Sequence, residues 1–270
     1  MTADFRNTTP KPMTNLAKRT WMEAEELFSA ETIALLPIGS TEPHGPHLPL
    51  DTDVTIACAQ AQRAAATLEA RGQRVVVLPP LNYGLTNFTA GFAGTIGLRP
   101  GTLWALVEDV LTALEDQGVG RAILVNGHLE PEHVQVLRGV IKDFPGGTGP
   151  GNQMRLHALF ADNTRRRWAQ TLGEEFASGD CHAGRYETSI VLAADEAAVR
   201  ADVAAKLPEK SIHLIEKMQA GARNFKECGA DEAYCGDPSS ATSSEGDELI
   251  RSLAHMVVAS AEEAWPECAE

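Results

Sequence analysis

Apolar residues recur along the chain in short continuous runs that alternate with longer amphipathic or alanine-rich segments. The runs predict buried strands, because a strand covered on both faces has no polar side, at Thr32–Ile38, Arg74–Pro80, Arg121–Asn126 and Arg155–Phe160. The segments between them predict helices over residues 16–29, Val54–Arg71, Thr102–Gln117 and Glu132–Phe144, with a polar helix after the fourth strand. This alternation is typical of an α/β fold with a mainly parallel sheet and helices on both faces.

The ends of the chain are predicted to differ in structure. Residues 1–14 are polar, contain two prolines and read as a loose arm, whereas residues 15–270 read as a single domain.

Two helix ends can also be predicted. Gly72 is suited to cap the helix predicted over Val54–Arg71. The last helix is predicted from Ser243 or Ser244 to about Ala264, with Asp247 in capping-box position to Ser244. Residues 204–240 show no clear pattern and are predicted to form a flap or an oligomer contact.

Composition and charge narrow the classes of partner. The chain of 270 residues is 43% hydrophobic and carries a net charge of −14, with a pI near 5.0. The negative electrostatic potential of so acidic a protein repels phosphate backbones and anionic headgroups, so we expect neither a nucleic-acid nor a membrane partner. The apolar runs are far shorter than the roughly 20 residues that cross a bilayer. Five cysteines without a CxxC motif and the lack of a secretory leader favour a reducing, cytoplasmic location.

Potential metal ligands gather in two loops that each follow a predicted strand. Glu42 and His44 follow the first strand, His128 and Glu130 follow the third, and Asp53 begins a helix. Residues i and i+2 of an extended chain point to the same side, and the loops after parallel strands open on one edge of the sheet. Two imidazoles and three carboxylates suit two divalent ions such as Zn²⁺ or Mn²⁺.

Charge and chemistry agree with this hypothesis. Two divalent ions, three carboxylates and a bridging hydroxide sum to a neutral cluster, which costs little to bury. Paired ions lower the pKa of a shared water and polarise a carbonyl, so the predicted chemistry is hydrolysis. The alternative is a set of scattered polar loop residues that bind no ion.

A third segment, Asp180–Ser189, places His182 among small residues. There the imidazole could approach a ligand closely and act as an acid or a base near neutral pH. The alternative is a histidine at a helix N-terminus or in the core, without a chemical role.

Together these three segments resemble the creatininase (creatinine amidohydrolase) family. The resemblance rests on Pro37–Asp53, Asn126–His128 and His182–Ser189, with weaker matches at 82–84, 92–95, 236–238 and 241–242. The matches follow the family order over most of the chain. The resemblance implies one three-layer α/β/α domain, two bound metal ions, hydrolysis of a C–N bond in a small amide, cyclic amide or formamide, and often a homohexamer.

The resemblance also implies a role for individual residues. The implied metal ligands are Glu42, His44, Asp53, His128 and Glu130, with Asp53 bridging the two ions. His182 matches the catalytic histidine that passes a proton to the leaving nitrogen, and Glu130 is expected to be needed for catalysis as well. Glu187 would support the ligands from outside the metal shell.

Two departures from the family pattern bear on the substrate. Pro131 stands where an asparagine is expected, and Ser178–Cys181 lacks the tryptophan that packs on creatinine in creatininase proper. Trp168 and Tyr186 are the aromatic residues that could replace it. Creatinine hydrolysis proper, a peptidase-like activity and a catalytically silent binding role therefore stay open.

Two further histidines, His47 and His133, are predicted to be structural. Neither GxGxxG nor GxxxxGK[ST] follows a predicted strand, which argues against an unrelated nucleotide-binding protein.

Overall fold

The protein is described by a computed structural model that covers residues 15–144, 147–148 and 154–269. The strands are β1 Ile33–Ile38, β2 Val75–Val77, β3 Arg121–Asn126, β4 Gly147–Thr148, β5 Met154–Arg155 and β6 His157–Ala161. The helices are α1 Trp21–Leu27, α2 Thr52–Ala70, α3 Pro100–Asp116, α4 Pro131–Asp143, α5 Arg166–Ala169, α6 Glu174–Ser178, α7 Arg185–Ala194, α8 Ala201–Ala204, α9 Leu214–Gln219 and α10 Ser243–Ala264. The predicted arm at residues 1–14 lies outside the described residues.

Four strands form one parallel sheet in the order β2-β1-β3-β6, and β4 pairs with β5 in a separate antiparallel ladder. Alternate strand residues pack on opposite faces of the sheet. Ala34, Leu36 and Leu124 pack against α3 and α4, whereas Leu35 and Val125 pack against α2 and α10. The predicted α/β fold with three layers is therefore confirmed.

Two glycines bring the N-terminus of α2 against the edge of the sheet. Gly39 directly follows β1 and Gly127 directly follows β3. A Cβ atom on either glycine would collide with the backbone around Asp53. Because each strand is followed by a residue without a side chain, the backbone around Asp53 can approach the carboxyl ends of the two central strands closely.

Several predicted boundaries differ from the observed ones for local reasons. The helix predicted over 16–29 is divided into a 3₁₀ turn, Leu16–Lys18, and α1, where Thr20 and Glu23 form a capping box. The cap of α10 is Thr242, which accepts the N–H of Glu245, and not the predicted Ser244 with Asp247. Asp247 instead pairs with Arg63 and Arg251. Gly72 follows α2 with a φ of +80°, as predicted for a capping glycine.

The segment that the sequence left unassigned, residues 204–240, packs over the carboxyl edge of the sheet. Ile212, Leu214 and Phe225 form a small apolar cluster there, against which Phe88 packs. No helix in the described parts of the chain is both long and apolar enough to cross a membrane.

Candidate metal centre

Five acidic and imidazole side chains converge at the carboxyl edge of the sheet. They come from the loop after β1, the start of α2, the loop after β3 and the first turn of α7: Glu42, His44, Asp53, His128 and Glu187. Each is at most 3% exposed. Isolated charges are not buried in this way without compensation, so the cluster requires either protons or cations between its members.

Backbone carbonyls fix the proton position on both imidazoles. His44 Nδ1 lies 3.0 Å from the carbonyl oxygen of Glu42, and His128 Nε2 donates to the carbonyl oxygen of Leu85. A carbonyl can only accept, so these nitrogens carry the hydrogen. In a neutral imidazole the other nitrogen, Nε2 of His44 and Nδ1 of His128, presents a lone pair. This is how metal-binding histidines are oriented in proteins.

Both of these lone pairs face one carboxylate. His44 Nε2 lies 3.1 Å from Asp53 Oδ1, and His128 Nδ1 lies 2.9 Å from Asp53 Oδ2. Asp53 Oδ2 is fully buried and has no hydrogen-bond partner of acceptable geometry among the described residues. Lone pairs that face each other at these distances repel unless a proton or a cation lies between them.

The potential ligands form triads in which every ligand atom lies within 4.8 Å of the others. One triad is Glu42, Asp53 and His128, and a second is His44, Asp53 and Glu187. Asp53 belongs to both, with one oxygen directed to each histidine. A third triad joins Glu42 and His44 to His182. Mixed nitrogen and oxygen donors of this kind suit Zn²⁺ and Mn²⁺.

Without a metal ion, protons on the imidazoles and on Glu187 balance the negative charges of the cluster. Burial, reinforced by the Asp53 carboxylate and only partly offset by His44, raises the pKa of Glu187 to about 8. Burial alone would lower the pKa of His44, but Asp53 and Glu187 outweigh it and raise that pKa to about 10. Divalent cations would remove both effects, so the donor set fits a metal centre.

His182 lies at the edge of the cluster, two residues before the N-cap of α7. Its Nε2 donates to the carbonyl oxygen of Pro43 at 3.0 Å, which leaves Nδ1, 4.0 Å from Glu42 Oε1, without a hydrogen in the neutral ring. Burial and the nearby His44 lower the pKa of His182 to about 4. The ring stacks on Phe225, with centroids 4.3 Å apart. The histidine thus both precedes a helix and faces the cluster.

Glu130 is not among the clustered ligands. Its two carboxylate oxygens accept the backbone N–H groups of Asn87 at 3.0 Å and Phe88 at 3.1 Å. Glu130 belongs to none of the triads found among the described residues, although it lines the same cavity. In the structure, Glu187 therefore occupies a place among the potential ligands, and Glu130 holds the loop that carries Phe88.

The two histidines predicted to be structural lie beside the cluster. His47 Nε2 is 2.8 Å from Thr188 Oγ1. His133 Nδ1 accepts the N–H of Leu85, and its Nε2 donates to Asn126 Oδ1 at 3.1 Å. Each ring holds segments that carry potential ligands, and neither belongs to a triad.

A cavity of about 490 Å³ opens over the cluster. Sequence reasoning missed its aromatic walls: they are formed by Phe88, Phe176 and Phe225, while Trp168 and Tyr186 do not line it. Phe225 lies in the segment without a sequence pattern, so nothing in the sequence connected it to His182. Its contact depends on how residues 204–240 fold back over the sheet.

Comparison with known proteins identifies the class to which this fold and cluster belong. The chain belongs to the creatininase family: the family model described as creatinine amidohydrolase matches residues 17–261. It is a hydrolase of that family. It is 30% identical over 237 residues to a mycofactocin precursor peptide peptidase of Mycolicibacterium smegmatis, which covers 85% of this chain and 84% of the relative. It is 33% identical over 117 residues to a creatinine amidohydrolase of Pseudomonas putida, which covers 41% of this chain and 43% of the relative.

Solved structures share the fold. A creatinine amidohydrolase (creatininase) superimposes with a TM-score of 0.70 at 23% identity and covers 94% of this chain and 98% of its own. A creatininase named as a manganese form gives a TM-score of 0.67 at 22% identity, covering 94% and 99%. A mutant creatininase of a Zn–Zn type gives 0.66 at 22% identity, covering 93% and 98%.

Proposed function

We propose that the protein is a dinuclear metal-dependent amidohydrolase that hydrolyses the C–N bond of a peptide-like amide. The observation that carries the proposal is the position of Asp53, whose two oxygens face the lone pairs of His44 and His128. One divalent ion would be held by Glu42, Asp53 and His128, and the other by His44, Asp53 and Glu187. Bound there, the ions supply Lewis acidity, which lowers the pKa of a water molecule and polarises a substrate carbonyl.

The ligand set in this proposal differs from the sequence expectation at one position. Glu187 replaces Glu130, because both oxygens of Glu130 accept backbone N–H groups. The three carboxylates of the revised set carry three negative charges, and together with one hydroxide they would balance the four positive charges of two divalent ions. We assign Glu130 to a positioning role: it holds Phe88 in the cavity wall.

His182 is assigned to proton transfer. Its Nε2–H is held by Pro43, and Phe225 fixes the plane of the ring, so that Nδ1 faces the cluster. Hydrolysis adds water across the C–N bond: the carbonyl carbon gains a hydroxyl group and the departing nitrogen gains a hydrogen. Nδ1 accepts a proton as the nucleophile forms and returns it to the nitrogen as the bond breaks.

Two observations favour a peptide-like amide over the small amide expected from the sequence. The cavity volume of about 490 Å³ lies in the range that accommodates a drug-sized ligand. The relative that is similar over 85% of the chain is named as a peptide peptidase. We do not favour a silent binding role, because every member of both triads is present and buried.

A small cyclic amide is the second candidate, and one observation favours it. Phe88 and Phe225 supply aromatic surface beside the cluster, although Ser178–Cys181, directly before His182, contains no aromatic residue. The planar ring of such a substrate could stack on one of these two phenyl rings, as aromatic pairs do. The relative from Pseudomonas putida, matched over less than half of its length, is named as a creatinine amidohydrolase.

The proposal is tested by incubating the zinc- and manganese-loaded protein with creatinine, other cyclic amides, formamides and short acetylated peptides. Mass spectrometry detects the gain of one water. We expect hydrolysis of peptides that is abolished by a chelator and by Asp53→Asn. Hydrolysis that persists in both would refute the metal-dependent mechanism.

A further inference from the structure

The cavity over the metal centre has a distinct chemical layout. Glu42, Asp53 and His128 lie at one part of its wall, and apolar side chains such as Leu214, Ile215 and Met218 of α9 form another. Ile215 is 46% exposed, although large aliphatic side chains are usually covered. An apolar surface left open beside a candidate catalytic centre is suited to an apolar part of the substrate.

A cationic side chain lines the same cavity. Arg138 lies on α4, on the same face as Gln135, one helical turn earlier, which also lines the cavity. Arg138 lies seven positions after Pro131, the first residue of α4, which corresponds to roughly 10 Å along the helix axis. The candidate ligand His128 lies just before that end of the helix. Arg138 is therefore remote from the cluster but within the same cavity.

The guanidinium group of Arg138 is held in a fixed orientation. Its Nε donates to Asp162 Oδ2 at 2.8 Å, and its Nη2 donates to Thr164 Oγ1 at 2.8 Å. Its Nη1 has no hydrogen-bond partner in the part of the chain that the structure describes, and 42% of the side chain is exposed. The side chain of Asp162 is fully buried, and its carboxylate holds the guanidinium group of Arg138 in place. A positioned arginine with a free donor is a typical carboxylate-binding group.

The local charge balance also favours an anion. Asp162 is shared by two arginines, because Arg165 Nε lies 3.6 Å from Asp162 Oδ2. The carboxylate of Asp162 is thus divided between two guanidinium groups and does not saturate the donors of Arg138. Arg165 does not line the cavity, so Arg138 is the member of the pair that a ligand can contact.

We propose that Arg138 is a specificity-determining residue that binds a carboxylate on the substrate roughly 10 Å from the scissile bond, while the apolar side chains of α9 that line the same cavity contact the apolar residues of the substrate. The substrate class is thus a short peptide with apolar residues and a free C-terminal carboxylate about three residues beyond the cleaved bond, since an extended residue spans roughly 3.3–3.6 Å. This inference rests on the proposed function, because it takes the metal cluster to mark the scissile bond.

The test compares two product analogues, Leu-Leu-Leu and its C-terminal amide, by isothermal titration calorimetry with the zinc-loaded protein. Mass spectrometry after each titration verifies that the peptides are intact. We expect the carboxylate form to bind at least roughly tenfold more tightly than the amide, as for a hydrogen-bonded charge. In Arg138→Gln this preference should fall to about twofold or less.

Arg165→Gln is the matched control, because it removes the other arginine that pairs with Asp162 but leaves the cavity wall intact. The preference should persist there. Equal affinity for the two peptides, a preference that survives Arg138→Gln, or no measurable binding of Leu-Leu-Leu would overturn the inference. A carboxylate that simply binds zinc would keep its preference in Arg138→Gln and so counts against it.

Failure of the proposed function has a separate readout. Acetyl-Gly-Leu-Leu-Leu is incubated with the same zinc-loaded protein, and its hydrolysis is followed by mass spectrometry. If no hydrolysis occurs while the Arg138-dependent preference is observed, the binding inference stands and the hydrolase assignment for this peptide class fails.

Discussion

Asp53 Oδ2 lies 2.9 Å from His128 Nδ1, yet neither atom has a hydrogen available in the neutral state of the histidine. The other imidazole nitrogen of His128 donates to a backbone carbonyl, so this contact is attractive only when a proton or a cation lies between the two atoms. The same relationship joins Asp53 Oδ1 to His44 Nε2 at 3.1 Å. A pair of cations resolves both contacts at once, and the following predictions examine that explanation.

Glu187→Gln should remove one of two bound ions, whereas Glu130→Gln should retain both. The reason is that Glu187 lies with His44 and Asp53, while Glu130 accepts the N–H groups of Asn87 and Phe88. The measurement is metal content per chain by mass spectrometry after gel filtration. Two ions in Glu187→Gln, or the loss of an ion in Glu130→Gln, would restore the ligand set expected from the sequence.

Metal removal should make stability depend on pH. In the metal-free protein the pKa of Glu187 is about 8 against a usual value of 4.5, so the folded state retains a proton that the unfolded state releases. The stability from this group is therefore lost as pH rises through about 8, and the raised pKa of His44, about 10, acts in the same direction.

We therefore expect the melting temperature of the chelator-treated protein to fall between pH 6.5 and pH 9. The zinc-loaded protein should show little of this fall, because Glu187 is already ionised as a ligand. A melting temperature of the metal-free protein that stays constant or rises over this interval would contradict the electrostatic account.

His182→Ala should lower kcat by about 10²- to 10⁴-fold, as expected for the loss of a general acid–base, with both ions still bound. The imidazole lies beside the ligand triads and is held by Pro43 and Phe225. The measurement is steady-state kinetics on a peptide that the protein is found to hydrolyse, combined with analysis of the bound metal. Full turnover in a variant that holds two ions would remove His182 from the mechanism.

Asp180 is expected to anchor α9 over the cavity. Its carboxylate accepts the backbone N–H groups of Ile212, His213 and Leu214 at 2.7 to 2.8 Å. Asp180→Ala leaves these donors unpaired and should lower the free energy of unfolding by about 3 kcal/mol. Urea denaturation measures the loss. Glu216→Ala, at an exposed position on the same helix, is the control and should change little.

Sequence pattern predicted the fold well where the information is local. The continuous apolar runs of β1 and β3 each lie in one short stretch of chain, so the sequence alone predicted these strands and the edge of the sheet at which their following loops meet. The spacing of Glu42 with His44 likewise placed two potential ligands together. In contrast, the choice between Glu130 and Glu187 depends on which backbone N–H groups approach Glu130, and these come from a loop more than forty residues away.

The aromatic wall of the cavity also could not be predicted from the sequence, for the same reason. Phe225 stacks on His182 from a segment that carries no periodic pattern, and Asp180 holds that segment through backbone groups, which any sequence could supply. Such contacts depend on tertiary packing. The residues that bound the substrate cavity are therefore less readable from sequence than the residues that face the metal centre.

The most direct test of the central claim is anomalous diffraction at the zinc edge from crystals of the zinc-loaded protein. We predict two peaks, one among Glu42, Asp53 and His128 and one among His44, Asp53 and Glu187, with Asp53 between them. A single peak, or a second peak bound by Glu130 in place of Glu187, would contradict the arrangement proposed for this site.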